Sequence, residues 1–179
     1  MALLNILCYP DPRLHKVAKP VTEFDDQLRT LVADMLETMY KSEGVGLAAT
    51  QVDVHQRLVV MDTSEERNQP TVLVNPEITW FSAERIKGEE GCLSVPGIYD
   101  GVERAVAVKV KAADAHGTVR ELQAEGLMAV CVQHELDHLN GVLMFERMTP
   151  DQREEALTEY KRIADGGTSE GETRHIGLK

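Results

Sequence analysis

The chain has 179 residues, enough for one domain with one core, and its 42% hydrophobic and 27% charged residues are those of a globular protein. Asp plus Glu outnumber Lys plus Arg by 30 to 19, a net charge of −11, which argues against a general nucleic-acid binder with its basic face. Aromatic residues are only 4%, so aliphatic side chains must fill the core, and no apolar run approaches the roughly 18 residues of a membrane helix.

The N-terminal stretch MALLNILCYPDPRLHK lacks the basic region of a signal peptide. The three cysteines, Cys8, Cys92 and Cys131, are an odd count with wide spacing. They read as thiols or metal ligands rather than disulfides, and a cytoplasmic setting is expected. The first helix is predicted over about Asp25 to Ser42, where Leu28, Leu31, Val32, Met35, Leu36 and Met39 share one stripe at helical period. Gly44 offers its stop. Strands are predicted over 57–63 (RLVVMDT), 71–78 (TVLVNPEI) and 105–114, where Val106, Val108 and Val110 alternate with Lys109 and Lys111. Residues 114–117 read as a hairpin connection into a further strand over 118–125. A dense apolar helix follows from about Glu125 to Asn140-Gly141. The last helix starts at Thr149-Pro150-Asp151-Gln152, with Thr as cap, Pro in the first turn and Gln three residues after the cap, and stops at Gly166-Gly167. Helices before, within and after the strand clusters predict an α+β fold. The domain is expected over 1–165, with 166–179 as a C-terminal tail that has little to bury.

The sharpest chemical signal is His134-Glu135-Leu136-Asp137-His138. On a helix, residues i and i+4 share a face, so both imidazoles can reach one metal ion. Glu135 is rotated about 100° around the axis, beside that ion, where it can take a proton from water. Three fixed residues arise by chance in about one of fifty random chains this long, so the motif needs a third ligand to carry weight. The late histidine of one class of HExxH protease falls on Met144 here. A downstream carboxylate (Glu154, Glu155 or Glu159) is one alternative, and Cys92, expected in a Gly-flanked loop over Glu89–Pro96, is another. In Gly44-Val45-Gly46-Leu47-Ala48-Ala49-Thr50-Gln51, small residues let a backbone approach a ligand and Gln51 can present an amide donor. The same string also suits a helix C-cap followed by tightly packed turns.

Taken together, GVGLAATQ, EGCLS and QHELDH, in this order, resemble the peptide deformylases, and the resemblance covers about residues 3–165. It implies mostly antiparallel sheets of short strands around the HExxH helix. It implies Cys92, His134 and His138 as metal ligands, Glu135 as general base, and Gln51 with the backbone N–H of Leu93 as oxyanion donors. The reaction implied is removal of the formyl group from the formyl-methionine of newly synthesised polypeptides, releasing formate. One divalent ion is implied, iron(II) (Fe2+) as the native one, with Zn2+, Ni2+ or Co2+ able to take its place. Val45, Val130, Cys131 and His134, with Leu127 nearby, are expected to line a pocket for the methionine side chain, and the backbone at Val45, Gly46 and Gly91 to pair with substrate. Glu90 and Arg104 are expected to pair and orient the Cys92 segment. Tyr99 stands where some members carry an Arg, and Asp137 reads as a helix-face charge. His15, His55, His116 and His175 have no ligand-like spacing. The partners implied are nascent formyl-Met polypeptides and the ribosome, with no membrane and no general nucleic acid. Lys161 and Arg162 are the basic residues on the last helix that could meet a ribosome.

Overall fold

Helix α1 (Asp26–Lys41) begins where the Asp25 carboxylate accepts the backbone N–H of Leu28 at 3.0 Å, filling one of the bonds a helix start leaves open. The structure, a computed structural model, describes residues 3–164. The predicted tail at 166–179 and His175 lie outside the described residues. After α1 come β1 (Gly46–Ala48), β2 (Leu58–Met61), β3 (Thr71–Phe81), β4 (Arg85–Cys92), β5 (Val95–Ala105), β6 (Ala107–Ala113), β7 (Val119–Glu125), α2 (Gly126–Leu139) and α3 (Pro150–Ala164). Five strands form one antiparallel sheet in the order β1-β2-β3-β6-β7, and β4 with β5 forms a separate two-stranded hairpin. The α+β architecture expected from the sequence is the one found.

The five-stranded sheet is covered on both faces near β2. Leu58 and Val60 point to the α1 side with Met35 and Met39, while Val59 and Met61 join the α2 side with Ala129 and Leu136. This is why the segment around 58–61 reads as a continuous apolar run rather than an alternation. Further along, β6 keeps the alternation: Val108 and Val110 are buried toward α2, and Lys109 and Lys111 stay in solvent. The third cluster lies under α3, where Ala156 and Tyr160 meet Val102, Met144 and Phe145.

Two predicted strands and the Cys92 segment need correction. The strand predicted over 71–78 runs to Phe81, not Ile78, because register shifts after Val74 and Ile78 absorb its irregularities. Asn75 sits there at φ 52° and Pro76 follows, a position a regular inner strand would not tolerate. The segment 105–114 is not one strand: Ala105 ends β5 and Ala107 begins β6, so the chain changes sheets at Val106. The Cys92 segment is not a loop. Cys92 is the last residue of β4, and Leu93-Ser94 is the turn into β5, with Cys92 paired to Val95. The β4–β5 hairpin had no counterpart in the sequence reading, because β4 (RIKGEEGC) shows no apolar alternation: its first five residues are exposed.

Candidate metal centre

Helix α2 carries the two histidines to the middle of the molecule. Every residue from Cys131 to Leu139 is buried, charged ones included. The hairpin end brings Cys92 alongside. Cys92 Sγ lies 3.3 Å from His138 Nε2, and the two histidine Nε2 atoms are 3.2 Å apart. Sγ and both imidazoles form the one group of three potential ligands among the described residues, all within 4.8 Å of one another. Ligands about 2.0–2.3 Å from a shared tetrahedral ion lie roughly 3.3–3.6 Å apart, so the spacing suits such an ion. The alternative carboxylates do not converge on this point: Glu154 and Glu155 are exposed on α3. All three cysteines are free thiols.

The protonation pattern is set from behind. Glu90 Oε1 accepts from His134 Nδ1 at 2.9 Å, so the ring's proton sits on Nδ1 and the Nε2 lone pair faces inward. Arg104 in turn donates to Glu90 from Nε at 2.9 Å and Nη2 at 3.0 Å, both side chains being almost fully buried. Burial pushes the Glu90 carboxyl up, but His134 and Arg104 outweigh it and hold it below its ordinary range. Burial also opposes charge on both imidazoles. At His134, Cys92 and Glu90 overcome it and raise the pKa; at His138, burial with His134 and Arg104 beside it drives the pKa well down. A neutral His138 offers the ring lone pair a cation needs.

Two expectations change here. The Glu90–Arg104 pair is buried and holds the His134 tautomer, as well as sitting next to the Cys92 strand end. Asp137 is no surface charge. It is buried, accepts from Arg104 Nη1 at 2.6 Å, and accepts from Arg147 Nη2 at 2.8 Å. Sequence spacing does not show this, since Arg104 and Arg147 come from β5 and the turn before α3.

Glu135 is buried beside the ligands, with Oε1 3.8 Å from His134 Nε2 and Oε2 lacking any hydrogen-bond partner among the described residues. Burial pushes its carboxyl up to about 7. A 3-10 turn at Ala49–Val52 aims Gln51 at the same place. The Ala48 N–H donates to Gln51 Oε1 at 2.9 Å, which fixes the amide's orientation. Gln51 Nε2 donates to Ser94 Oγ at 3.0 Å and stands 3.7 Å from Cys92 Sγ. Ser94, to which no role was given from sequence, therefore positions Gln51; its place as the last residue of EGCLS is the signal that could have found it.

Around the centre, β1 is the edge strand of its sheet. The Val45 carbonyl accepts from the Asp62 N–H at 2.8 Å, so by antiparallel alternation the N–H and C=O of Gly46 point away from β2, to the open edge. Of the backbone groups expected to meet substrate, the Val45 carbonyl is thus already engaged. Gly46 is pressed against the site: a Cβ there would come 2.7 Å from Cys131 Sγ and 3.0 Å from Glu135 Cγ. Gly91 pairs with Tyr99 inside the hairpin, just before a bulge at Cys92. A cavity of about 320 Å³ opens between the hairpin and α2, lined mainly by Ile86, Gly88, Val102, Val106, Leu127 and Val130. Of the expected pocket residues, Val130 and Leu127 line it and Val45, Cys131 and His134 do not; Cys131 is fully buried, with its thiol 3.7 Å from the Val45 carbonyl. His15 and His55 sit elsewhere, bonded to the Gly141 carbonyl and Asp53.

Comparison with known proteins agrees with this geometry. Residues 3–154 match the polypeptide deformylase family. The peptide deformylase of Chromobacterium violaceum is 59% identical over 162 residues, which cover 90% of this chain and 96% of that protein. The crystal structure of a peptide deformylase from Legionella pneumophila superposes with a TM-score of 0.85 at 47% identity, covering 93% of this chain and all of that one. One from Synechococcus elongatus, in complex with actinonin, gives 0.84 at 42% identity over 88% of each chain. Match and metal centre together show that this chain belongs to the polypeptide deformylase family, metal-dependent hydrolases that remove the N-formyl group from newly made proteins.

Proposed function

We propose that this chain removes the formyl group of nascent formyl-Met polypeptides with Cys92, His134 and His138 holding one divalent ion, Glu135 moving the proton, and Gln51 with the Leu93 N–H receiving the oxyanion. The observation that carries this is the buried Sγ, Nε2, Nε2 group with an unpartnered carboxylate beside it. When bound, the ion would supply Lewis acidity, lowering the pKa of the attacking water and drawing charge from the formyl oxygen. Glu135 accepts the proton of the attacking water. As the formyl carbon becomes tetrahedral, the Gln51 amide and the Leu93 N–H donate to its oxygen. Glu135 then passes the proton to the departing nitrogen, leaving formate and a free amine. A formyl carbon bears only hydrogen, which suits a site where the Gly46 backbone packs directly against Cys131 and Glu135.

The substrate backbone is assigned to the open edge at Gly46 and to Gly91, adding a strand, and the cavity beside Val130 and Leu127 to its methionine side chain. Iron(II) is the native ion proposed, because it expands its coordination readily, with nickel or cobalt as durable replacements and zinc as a poorer one. Because its substrates are nascent chains, we assign the enzyme to the cytoplasm, near the ribosome. No described helix is long and apolar enough to cross a membrane.

The test is formate release from formyl-Met-Ala, with Met-Ala and acetyl-Met-Ala as controls, on anaerobically prepared protein of measured metal content. Formate from the formylated peptide alone, lost with the metal in Cys92→Ala, supports the reading. Cleavage of the unformylated peptide by a fully metallated Cys92→Ala would replace it with a peptidase. Matching rates for the iron and zinc forms, with no loss in air, would make zinc the native ion.

A further inference from the structure

Outside the ligand set, the turn after β2, over residues 62–69, is held by a dense set of hydrogen bonds. Its centre is Asp62, almost fully buried. Asp62 Oδ1 accepts from the Ser64 N–H and Oγ at 2.9 and 2.5 Å, and Oδ2 accepts from Tyr40 Oη at 2.5 Å and the Gln69 N–H at 3.0 Å. These bonds fix the turn that carries Arg67. Arg67 has φ 58°, in the left-handed region an arginine adopts only where its surroundings impose it. Its guanidinium lies over the Tyr40 ring at 5.1 Å, and Nη1 donates to the Asp62 carbonyl at 3.0 Å. Its Nη2 donates to the carbonyl of Gly44, reaching back across 23 residues.

Gly44 lies between the Gly46 edge and the Leu93 turn. On one side it leads directly into Val45 and the Gly46 edge. On the other, a Cβ on Gly44 would come 2.7 Å from Leu93 Cδ1, so the Leu93 side chain rests on the bare Cα of Gly44. We propose that Arg67 is a positioning residue for deformylation: by gripping the Gly44 carbonyl it sets both the Gly46 edge that pairs with substrate and the Leu93 turn whose N–H meets the oxyanion. It touches neither substrate nor ion, and this role rests on the assignment of Gly46 and Leu93 given above.

The experiment compares wild type, Arg67→Ala, Arg67→Gln and Arg67→Lys, each loaded to one metal equivalent and assayed well below its melting temperature with formyl-Met-Ala-Ser. Both kcat and KM are expected to worsen in Arg67→Ala, with kcat/KM down about 10- to 100-fold, the scale at which a small misplacement acts. Metal content should not change. Arg67→Lys, which keeps one donor for Gly44, should recover most of the loss, and Arg67→Gln less of it. Should Arg67→Ala fail to fold, the Lys and Gln pair carries the same comparison. Kinetic constants within twofold of wild type in a folded Arg67→Ala or Arg67→Gln overturn the proposal. So does a loss that disappears on cooling the assay, which would make Arg67 a stability residue only. A wild type that releases no formate overturns instead the functional reading beneath it.

Discussion

Helix α1 buries Leu28, Val32, Met35, Thr38 and Met39 along one stripe and leaves its other face in solvent, whereas α2 buries everything from Cys131 to Leu139, with Gln133, His134, Glu135, Asp137 and His138 among them. The two helices cover opposite faces of the same sheet. One does so with aliphatic contacts that any similar set could supply. The other takes polar groups out of water, which is costly unless each finds a partner. Gln133 finds the backbone of Ala105, His134 finds Glu90, and Asp137 finds two arginines. Only Glu135 Oε2 and His138 Nδ1 in this stretch are left without one among the described residues. The difference separates a helix built for stability from a helix whose stability is given up in part for chemistry.

Substituting each helix's own residues should pull these two properties apart. The largest effect is expected at Glu135. Glu135→Gln keeps the shape but cannot accept a proton, so kcat should fall about 10²- to 10⁴-fold while one metal equivalent stays bound. Its melting temperature should not drop, since the change removes a buried carboxyl that burial already disfavours. Near-normal turnover in the metallated variant would remove Glu135 from the mechanism.

Next in size is Asp137→Asn. It leaves Arg104 with Glu90 alone and Arg147 with no carboxylate at that site. Denaturant unfolding should show a loss of about 3 kcal/mol, the lower end for a broken buried pair because Glu90 remains. Metal affinity should fall about tenfold as His134 loses its bracing. An unchanged metal affinity would limit Asp137 to the fold.

Met35→Ala makes the comparison from the other helix. Met35 is fully buried against the sheet, so the cavity left behind should cost about 2–5 kcal/mol. Turnover at a temperature where the variant is folded should match wild type. A comparable loss of kcat would mean that the α1 side is coupled to the centre after all.

The smallest effect expected is a pH dependence on the α1 side. Burial pushes the Asp62 carboxyl up, but bonds from Ser64, Tyr40 and the Gln69 N–H outweigh it and hold it below the ordinary carboxylate value. A group with a depressed folded pKa stabilises above its unfolded pKa, near 3.9, and that contribution disappears as pH falls through the folded value. Unfolding free energy measured from pH 5 downward should therefore decline more steeply in wild type than in Asp62→Asn. Equal slopes would show that Asp62 does not titrate in this window.

Periodicity and short motifs were enough for much of this molecule. The α1 stripe, the alternating strand around Val108 and the α2 helix from Gly126 all lie where local pattern put them, because each buries one face against a neighbour and the sequence must show that face. The pair His134 and His138 is legible for the same reason: helical spacing alone puts them together. Bringing Cys92 to them, 46 residues away in sequence from His138, is a matter of tertiary structure. So is the hairpin that carries Cys92, whose polar β4 has no periodic signal, since its first five residues are exposed and Glu90, buried at its end, meets His134 on α2. The change of sheet at Val106 left no mark in an alternation that looks unbroken. Asp137 read as a surface charge because composition treats a carboxylate as solvated; only the arrival of Arg104 and Arg147 from distant strands and turns makes its burial tolerable. Local pattern reports what one element needs from water, and the partners that let a charge leave water are chosen by the fold.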